Sequence, residues 1–258
     1  MGADKPVAKR DSAYFDQWYA DMENSPVQDA IVARTLGLPP ELQSTSLLSW
    51  QGIDEVAAAL QLRDGALLLD LACGRGGYGI EIARRTGARL IGIDFSEVAL
   101  QQARLRGARL LPAGRAEFHN GSLDATGLPT GIADAIMCID AVQFAEPPLS
   151  AMLEFRRLLT PGGRLVMTCW EAVDPSDDRV PPRIKAVYLR RDLLAAGFLD
   201  VQVHDKSDWR EVERTMWEAA VAAPVDSDPA MQSLQAEGRW SLDNFDALRR
   251  VFATATAP

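Results

Sequence analysis

The sequence predicts an α/β protein: a doubly wound, mostly parallel seven-stranded sheet with a helical N-terminal cap and a late helical patch. Three observations predict it. Continuous apolar runs alternate with helix-period segments through the middle of the chain, as buried parallel strands and their crossover helices require. A glycine-rich loop joins the first run to the first helix, in LLLDLACGRGGYGIEIAR from Leu67 to Arg84. Proline and glycine clusters separate the segments at element-length intervals.

The elements follow in order. Residues 12–36 (SAYFDQWYADMENSPVQDAIVARTL) read as an aromatic-rich helical lead-in interrupted at Pro26, followed by the turn GLPPELQSTS. LLSWQGIDEVAAALQL reads as a helix ending at Gly65. The first strand is ALLLDLA, and its helix GYGIEIARRTG has Gly87 as the stop signal. ARLIGIDFS is the second strand, with Ser96 as N-cap of EVALQQARLRG. AEFHNGS and ADAIMCID are the third and fourth, with a helix near PLSAMLEFRRLL. GRLVMTCWE, the fifth, follows the Pro161-Gly162-Gly163 turn. EAVDPSDDRVPP is an exposed loop, YLRRDLLAAGF a helix and LDVQVHDKSDW an alternating strand. REVERTMWEAAVAA is amphipathic, with Met216, Ala219, Ala220 and Ala223 on one face, and ALRRVFATATA supplies the last strand. The expected division is a cap at residues 1–64 and a core at 65–258 with a helical insertion near 210–240.

Composition bounds the function. A chain of 258 residues, 47% hydrophobic and 24% charged, has the make-up of a globular protein with a substantial core. Its net charge of -9 argues against a general nucleic-acid surface, which needs clustered Lys and Arg. Cys73, Cys138 and Cys169 lack CxxC spacing, so three reduced, buried thiols are expected and no metal site. No apolar run is long enough to span a membrane, and MGADKPVAKRD has no signal-peptide core. Met1-Gly2 does not continue into a convincing myristoylation motif. The expectation is a soluble, cytoplasmic protein with no membrane partner.

The glycine loop poses the functional question. Gly74-x-Gly76-x-x-Gly79 has the dinucleotide spacing, and Asp94 follows twenty positions after Gly74, as a ribose-binding acid would. Asp70, however, stands just ahead of the glycines. A carboxylate there repels a pyrophosphate and attracts an ammonium. S-adenosylmethionine carries an amino group and a sulfonium and no phosphate, so an acidic loop entrance suits it.

The stretch around Asp70-Leu71-Ala72-Cys73-Gly74-Arg75-Gly76 resembles the first motif of class I S-adenosylmethionine-dependent methyltransferases. IGIDFSEVALQQAR resembles the second motif, GLPTGIADAIMCIDAVQF the stretch around the fourth strand, and RRLLTPGGRLVMTCW the turn and strand after it. Together these cover about residues 65–170, and within the family the chain looks most like small-molecule enzymes of bacterial secondary metabolism, antibiotic biosynthesis among them. The resemblance implies a Rossmann-like methyltransferase fold, with S-adenosylmethionine as cofactor and S-adenosylhomocysteine as product. It places Asp70 near the methionine end and Ala72, Gly74 and Gly76 at the close backbone approach. It assigns Asp94 to the ribose hydroxyls, Phe95 to the adenine face and Ser96 nearby. Ser122, Leu123 and Asp124 are candidates for the adenine edge. Ile139 and Asp140 border the methionine moiety, with Gln143 and Phe144 near the methyl group.

Methyl transfer from a sulfonium needs alignment of the acceptor and, for a hydroxyl or unactivated carbon, a base. Glu171, directly after the fifth strand, is the candidate acid or base; it is also placed to begin a loop. His119 is a structural or adenine-side residue, and His204 an exposed one. Tyr14, Phe15, Trp18 and Tyr19 crowd one helix, as the cap's own hydrophobic face or as a cover whose aromatic rings stabilise a sulfonium. Tyr14 is the candidate among them for contact with cofactor and chemistry, and Trp50 for reach to the cofactor. Trp209, Trp217 and Trp240 line an apolar acceptor pocket or anchor the late patch. The reading is therefore a methyltransferase acting by in-line displacement on a small, apolar or aromatic metabolite. A NAD(P)-dependent oxidoreductase is the alternative, disfavoured by Asp70 and by Asp192 four positions after Tyr188, where a Tyr-x-x-x-Lys pair needs lysine. A methyltransferase-like nucleoside binder without transferase activity is the third. Acceptor identity and oligomeric state are not written in the sequence.

Overall fold

A computed structural model describes residues 11–23, 25–43, 45–224 and 227–258; the N-terminal Met1-Gly2 start lies outside the described residues. Two helices, α1 (Ser12–Glu23) and α2 (Pro26–Leu36), replace the single lead-in, and Pro26 sits at the first turn of α2, where its missing N–H leaves no intrahelical bond unmade. Helix α3 (Trp50–Leu60) stops at Gln61, whose left-handed backbone (φ 50°) ends it four residues before the expected Gly65. The alternating core then runs β1 (Leu67–Leu71), α4 (Gly77–Thr86), β2 (Arg89–Asp94), α5 (Glu97–Leu110), β3 (Ala116–Asn120) and β4 (Ala133–Ile139). After a 3-10 turn at Val142–Phe144 come α6 (Pro148–Leu158) and β5 (Leu159–Ala172). β5 begins before Pro161 and runs through the turn that was expected to precede it. A single helical turn, α7 (Pro182–Lys185), begins at the last residue of the segment read as loop. Then follow α8 (Leu189–Ala195), β6 (Leu199–Asp205), α9 (Ser207–Ala222), α10 (Pro229–Asp243), a 3-10 turn at Phe245–Ala247 and β7 (Leu248–Thr256).

The sheet has seven strands in the order β3-β2-β1-β4-β5-β7-β6, so the doubly wound expectation holds. β1 to β5 are parallel, while β7 pairs antiparallel with both β5 and β6. The period-two side-chain alternation of strands divides the core into two layers. Leu68, Leu90, Met137 and Val166 face α3, α4 and α5, whereas Leu69, Ile136, Leu165 and Met167 face α6 and α8. The first layer continues into Ile31, Leu36 and Ile53 of the N-terminal helices and into Trp209 and Trp217 of α9. The hydrophobic core is thus continuous across residues 64 and 65.

Because β7 returns antiparallel, α9 and α10 form a pair inserted between β6 and β7, where the late patch was expected. α9 packs on α10, α2 and β7. Trp209 and Trp217 are buried in that packing; the Trp209 indole N–H donates to Glu55 (3.2 Å) and its ring stands edge-on to Phe252. Both anchor the patch. Asp228 caps α10, accepting from the N–H groups of Ala230 (2.9 Å) and Met231 (3.1 Å), and it takes a 2.6 Å hydrogen bond from the Ser25 hydroxyl ahead of α2. One carboxylate therefore joins the insertion to the N-terminal helices. Asp228→Ala is expected to lower stability by about 1–2 kcal/mol, the range for a lost N-cap, measured by urea denaturation.

Candidate functional site

At the carboxyl ends of β1 and β2, beside the point where β1 and β4 part company, two acids are buried within one short loop of each other. Asp70 is fourth in β1 and Asp94 last in β2; both are less than 5% exposed. The Asp94 carboxylate accepts from the Gly74 N–H (2.8 Å) and the Ser96 N–H (2.9 Å), so it pins the glycine loop to the following helix. The Asp70 side chain points toward α4 and takes the Gly79 N–H. Burial, then the neighbouring Asp94 charge, push its pKa up to about 8. Burial raises Asp94 as well, against the backbone donors that favour its charge.

The glycines are explained by these acids. A Cβ on Gly79 would stand 2.5 Å from Asp70 Oδ2, so the third glycine of the apparent fingerprint makes room for the carboxylate. Gly74 (φ 51°) and Gly76 (φ 77°) are left-handed, and a Cβ on Gly74 would meet the Tyr19 hydroxyl at 2.7 Å. Ala72 and Asp140 take the same left-handed region at the ends of β1 and β4. Cys73 is buried against Gly92, and burial drives its thiol well above the ordinary range, which marks a packing residue.

The crevice is covered. Phe15 of α1 stands edge-on to both Phe95 and Phe144, with ring centroids 5.3 Å from each, and so bridges the two rings read as adenine-side and methyl-side. Asp16 accepts from the Ser96 hydroxyl (2.6 Å) and holds α1 at the start of α5. Tyr19, 6% exposed, lies over Gly74 beside Thr45. Burial first, and Asp94 second, raise its phenol. The remaining cavity is about 20 Å³, lined by Thr45, Ser46, Asp70, Ala72, Tyr78 and Ile139 among others. That is room for about one water, far below the ~300 Å³ of a small-molecule pocket.

Other candidates separate. Ser122 and Asp124 meet at the exposed rim after β3, the serine donating to the acid (2.7 Å), and Leu123 packs between them and the core. Asp140 is enclosed among Thr168, Ser46 and Arg250. Glu171 is a correction: the antiparallel neighbour β7 brings Arg249 to one carboxylate oxygen (2.6 Å), and the Leu189 N–H takes the other (2.7 Å). Buried and doubly engaged, it starts α8 rather than facing a reactant. Trp50 is another: the Arg85 guanidinium lies 4.0 Å over its ring at the last turn of α4, a helix length from the loop. Tyr14 is half-buried and edge-on to Phe15, behind the ring that enters the crevice. His119 is exposed beside Glu117, and His204 is exposed.

Four further side chains shape the site. Tyr19, not Tyr14, reaches the loop; its four-residue offset from Phe15 was the available signal. Arg75, between two glycines, is buried in an ion pair with Asp29 of α2 (2.7 Å). Ser46 and Thr45, from the turn before α3, line the cavity.

The strand order and the crevice at its switch point define the class I methyltransferase fold. Residues 68–163 match the family described as a methyltransferase domain. An O-methyltransferase of Penicillium expansum is 29% identical over 163 residues, 58% of this chain and 58% of its own length. A ubiquinone biosynthesis O-methyltransferase of Alkalilimnicola ehrlichii is 30% identical over 64% of this chain and 59% of its own. The chain spans about a third to three-fifths of the length of the curated relatives it matches. Among solved structures, the cyclase SpnF superposes with a TM-score of 0.69 at 25% identity, covering 81% of this chain and 80% of its own. The S-adenosyl-L-methionine complex of Haemonchus contortus phosphoethanolamine N-methyltransferase 2 gives 0.75 at 17% identity over 95% of this chain and 60% of its own, a likeness of fold.

The Asp70 shift carries a sign. Between the ordinary carboxylate value near 3.8 and about 8, the folded protein holds a proton that the unfolded chain has lost. Its contribution to stability therefore falls as pH rises through that window and levels off above it. Urea unfolding of wild type and Asp70→Asn should show the wild type losing on the order of 1–4 kcal/mol relative to the variant from pH 5 to pH 8.

Proposed function

We propose that the protein transfers a methyl group from S-adenosylmethionine to a small apolar or aromatic acceptor by in-line displacement. The observation that carries this reading is Asp70: a buried carboxyl at the loop entrance that keeps its proton until a cation draws it off, and whose ionised form pairs with an ammonium and repels a pyrophosphate. The cofactor, when bound, supplies the electrophilic methyl carbon.

The chain's own residues divide the remaining work. Asp70 meets the amino group at the methionine end. Asp94 exchanges the Gly74 and Ser96 N–H groups for, or shares them with, two ribose hydroxyls. Phe95 packs on the adenine, and the Ser122–Asp124 pair offers an acceptor at its edge. Gly74 and Gly76 bring backbone close, while Ala72, Ile139 and Asp140 wall the methionine end. Phe15, Tyr19 and Phe144 exclude water around the sulfonium and face it with aromatic surface. Entry requires α1 and the 45–48 segment to withdraw, since the cavity they leave is a single water's volume.

An acceptor with an apolar or aromatic body fits the Phe15–Phe144 wall, and the O-methyltransferase relatives and SpnF favour secondary metabolism as its source. Proton removal is assigned to neither Glu171 nor Asp140, because ion pairs engage both.

Isothermal titration decides the cofactor. S-adenosylhomocysteine is expected to bind in the micromolar range and NAD not at all; the reverse would sink this reading. Asp94→Ala should weaken the thioether by about 1–3 kcal/mol. Below pH 8, binding should release protons from Asp70, seen as a buffer-dependent heat that Asp70→Asn abolishes.

A further inference from the structure

Four charged side chains are buried in a row at the carboxyl edge of the sheet. Arg250 of β7 is fully buried and lies between Asp140, with its Nη2 donating at 2.7 Å, and Glu213 of α9, with Nε at 3.0 Å from Oε1. The Trp170 indole N–H (3.1 Å) and Arg210 (3.2 Å) donate to the other Glu213 oxygen, and Arg210 also donates to the Phe245 carbonyl (2.6 Å). The Trp170 ring lies 4.2 Å from the Arg250 guanidinium carbon. On the far side, Asp140 accepts from the Thr168 hydroxyl (2.6 Å), the Ser46 hydroxyl and the Leu47 N–H (3.5 Å). The 46–48 backbone is held from below by the Tyr78 hydroxyl, which bonds the Ser46 and Leu48 carbonyls and accepts from the Leu48 N–H.

Ions this deep lose their hydration, and well-packed apolar residues of similar volume commonly match or exceed such networks in stability. Stability alone does not account for four of them. What the row does provide is a continuous rigid path from α9 to the segment that covers the crevice. Among the described residues, the ionic path from α9 to Asp140 runs through Arg250.

We propose that Arg250 and Glu213 are positioning residues which, through Asp140, couple helix α9 to the 45–48 cover. Given the function proposed above, α9 stands on the acceptor side and the cover on the cofactor side. Occupation of one side then changes the opening of the other, and the coupling is reciprocal. Asp140 is the shared element: its carboxylate holds the cover by Ser46 and Leu47 only while Arg250, steadied by Glu213, fixes its orientation.

Hydrogen-exchange mass spectrometry of the full ligand-free chain tests this. Ser46→Ala and Glu213→Gln should each speed exchange in peptides spanning 43–50 roughly tenfold, and the double variant should exchange no faster than the faster single one. Trp170→Phe keeps every charge and an aromatic ring beside Arg250 while removing the indole donor to Glu213; it serves if Glu213→Gln loosens the whole chain, and should raise exchange in the same peptides. Effects confined to α9, or rates that multiply in the double variant, would overturn the coupling. S-adenosylhomocysteine dissociation should quicken in Glu213→Gln. Failure of the wild type to bind that ligand counts against the proposed function, while the exchange data, which need no ligand, still decide the coupling.

Discussion

Two carboxyl groups buried at the ends of adjacent strands set the terms for everything around them. Burial and the nearby Asp94 hinder the ionisation of Asp70, and backbone N–H groups donate to both carboxyl groups. The fold answers with backbone. Gly74, Ser96 and Gly79 present N–H groups, and the glycine at 79 yields the volume that a carboxylate needs. Basic residues near the loop are turned elsewhere: Arg75 pairs with Asp29, and Arg106 donates to the Arg75 carbonyl and to Gln43. The result is a carboxyl that keeps its proton until a nearby cation makes ionisation favourable, a change that a phosphate ligand would oppose.

Local chemistry is what a sequence displays best. The five parallel strands were legible because burial on both faces forces unbroken apolar runs. The caps were legible because Ser96 and Gly87 act on their own neighbours. The Asp70–Asp94 pair could be read from the order of strand, loop and strand. Contacts that depend on tertiary placement left no such trace. Glu171 looked exposed to a reactant because nothing near it in the chain is basic; Arg249 arrives from 78 residues away on an antiparallel strand. Trp50 precedes β1 by one helix, yet that helix turns it to Arg85. Asp140 and Arg250 are separated by 110 residues, and no periodicity links them. Among four crowded aromatics, helix rotation alone decided that Phe15 and Tyr19 enter the crevice while Tyr14 stays behind.

The covering helix and the loop it covers are tied at several points of different chemistry. Asp16 meets Ser96, Asp29 meets Arg75, and Phe15 sits between Phe95 and Phe144. Ser96, Phe95 and Phe144, where two of these ties end, are the residues that the proposed function sets beside the ligand. Cover and crevice are for this reason one cooperative unit, and a change in either is felt as a change in the strength of the other. No described helix is long and apolar enough to cross a membrane.

The α9–α10 pair enters the sheet through one short connection after β6 and leaves through a 3-10 turn before β7. Topologically it is a cassette, free to be exchanged for another without disturbing the order of the strands or the glycine loop. Glu213 is the acid by which it meets Arg250 of the sheet, as Asp228 is the acid by which it meets Ser25. A graft of foreign helices at residues 207–243 would leave Arg250 charged and half-neutralised inside the sheet edge unless the newcomer carried an acid at the same height. An acid at that height is therefore what Arg250 demands of any insertion between β6 and β7.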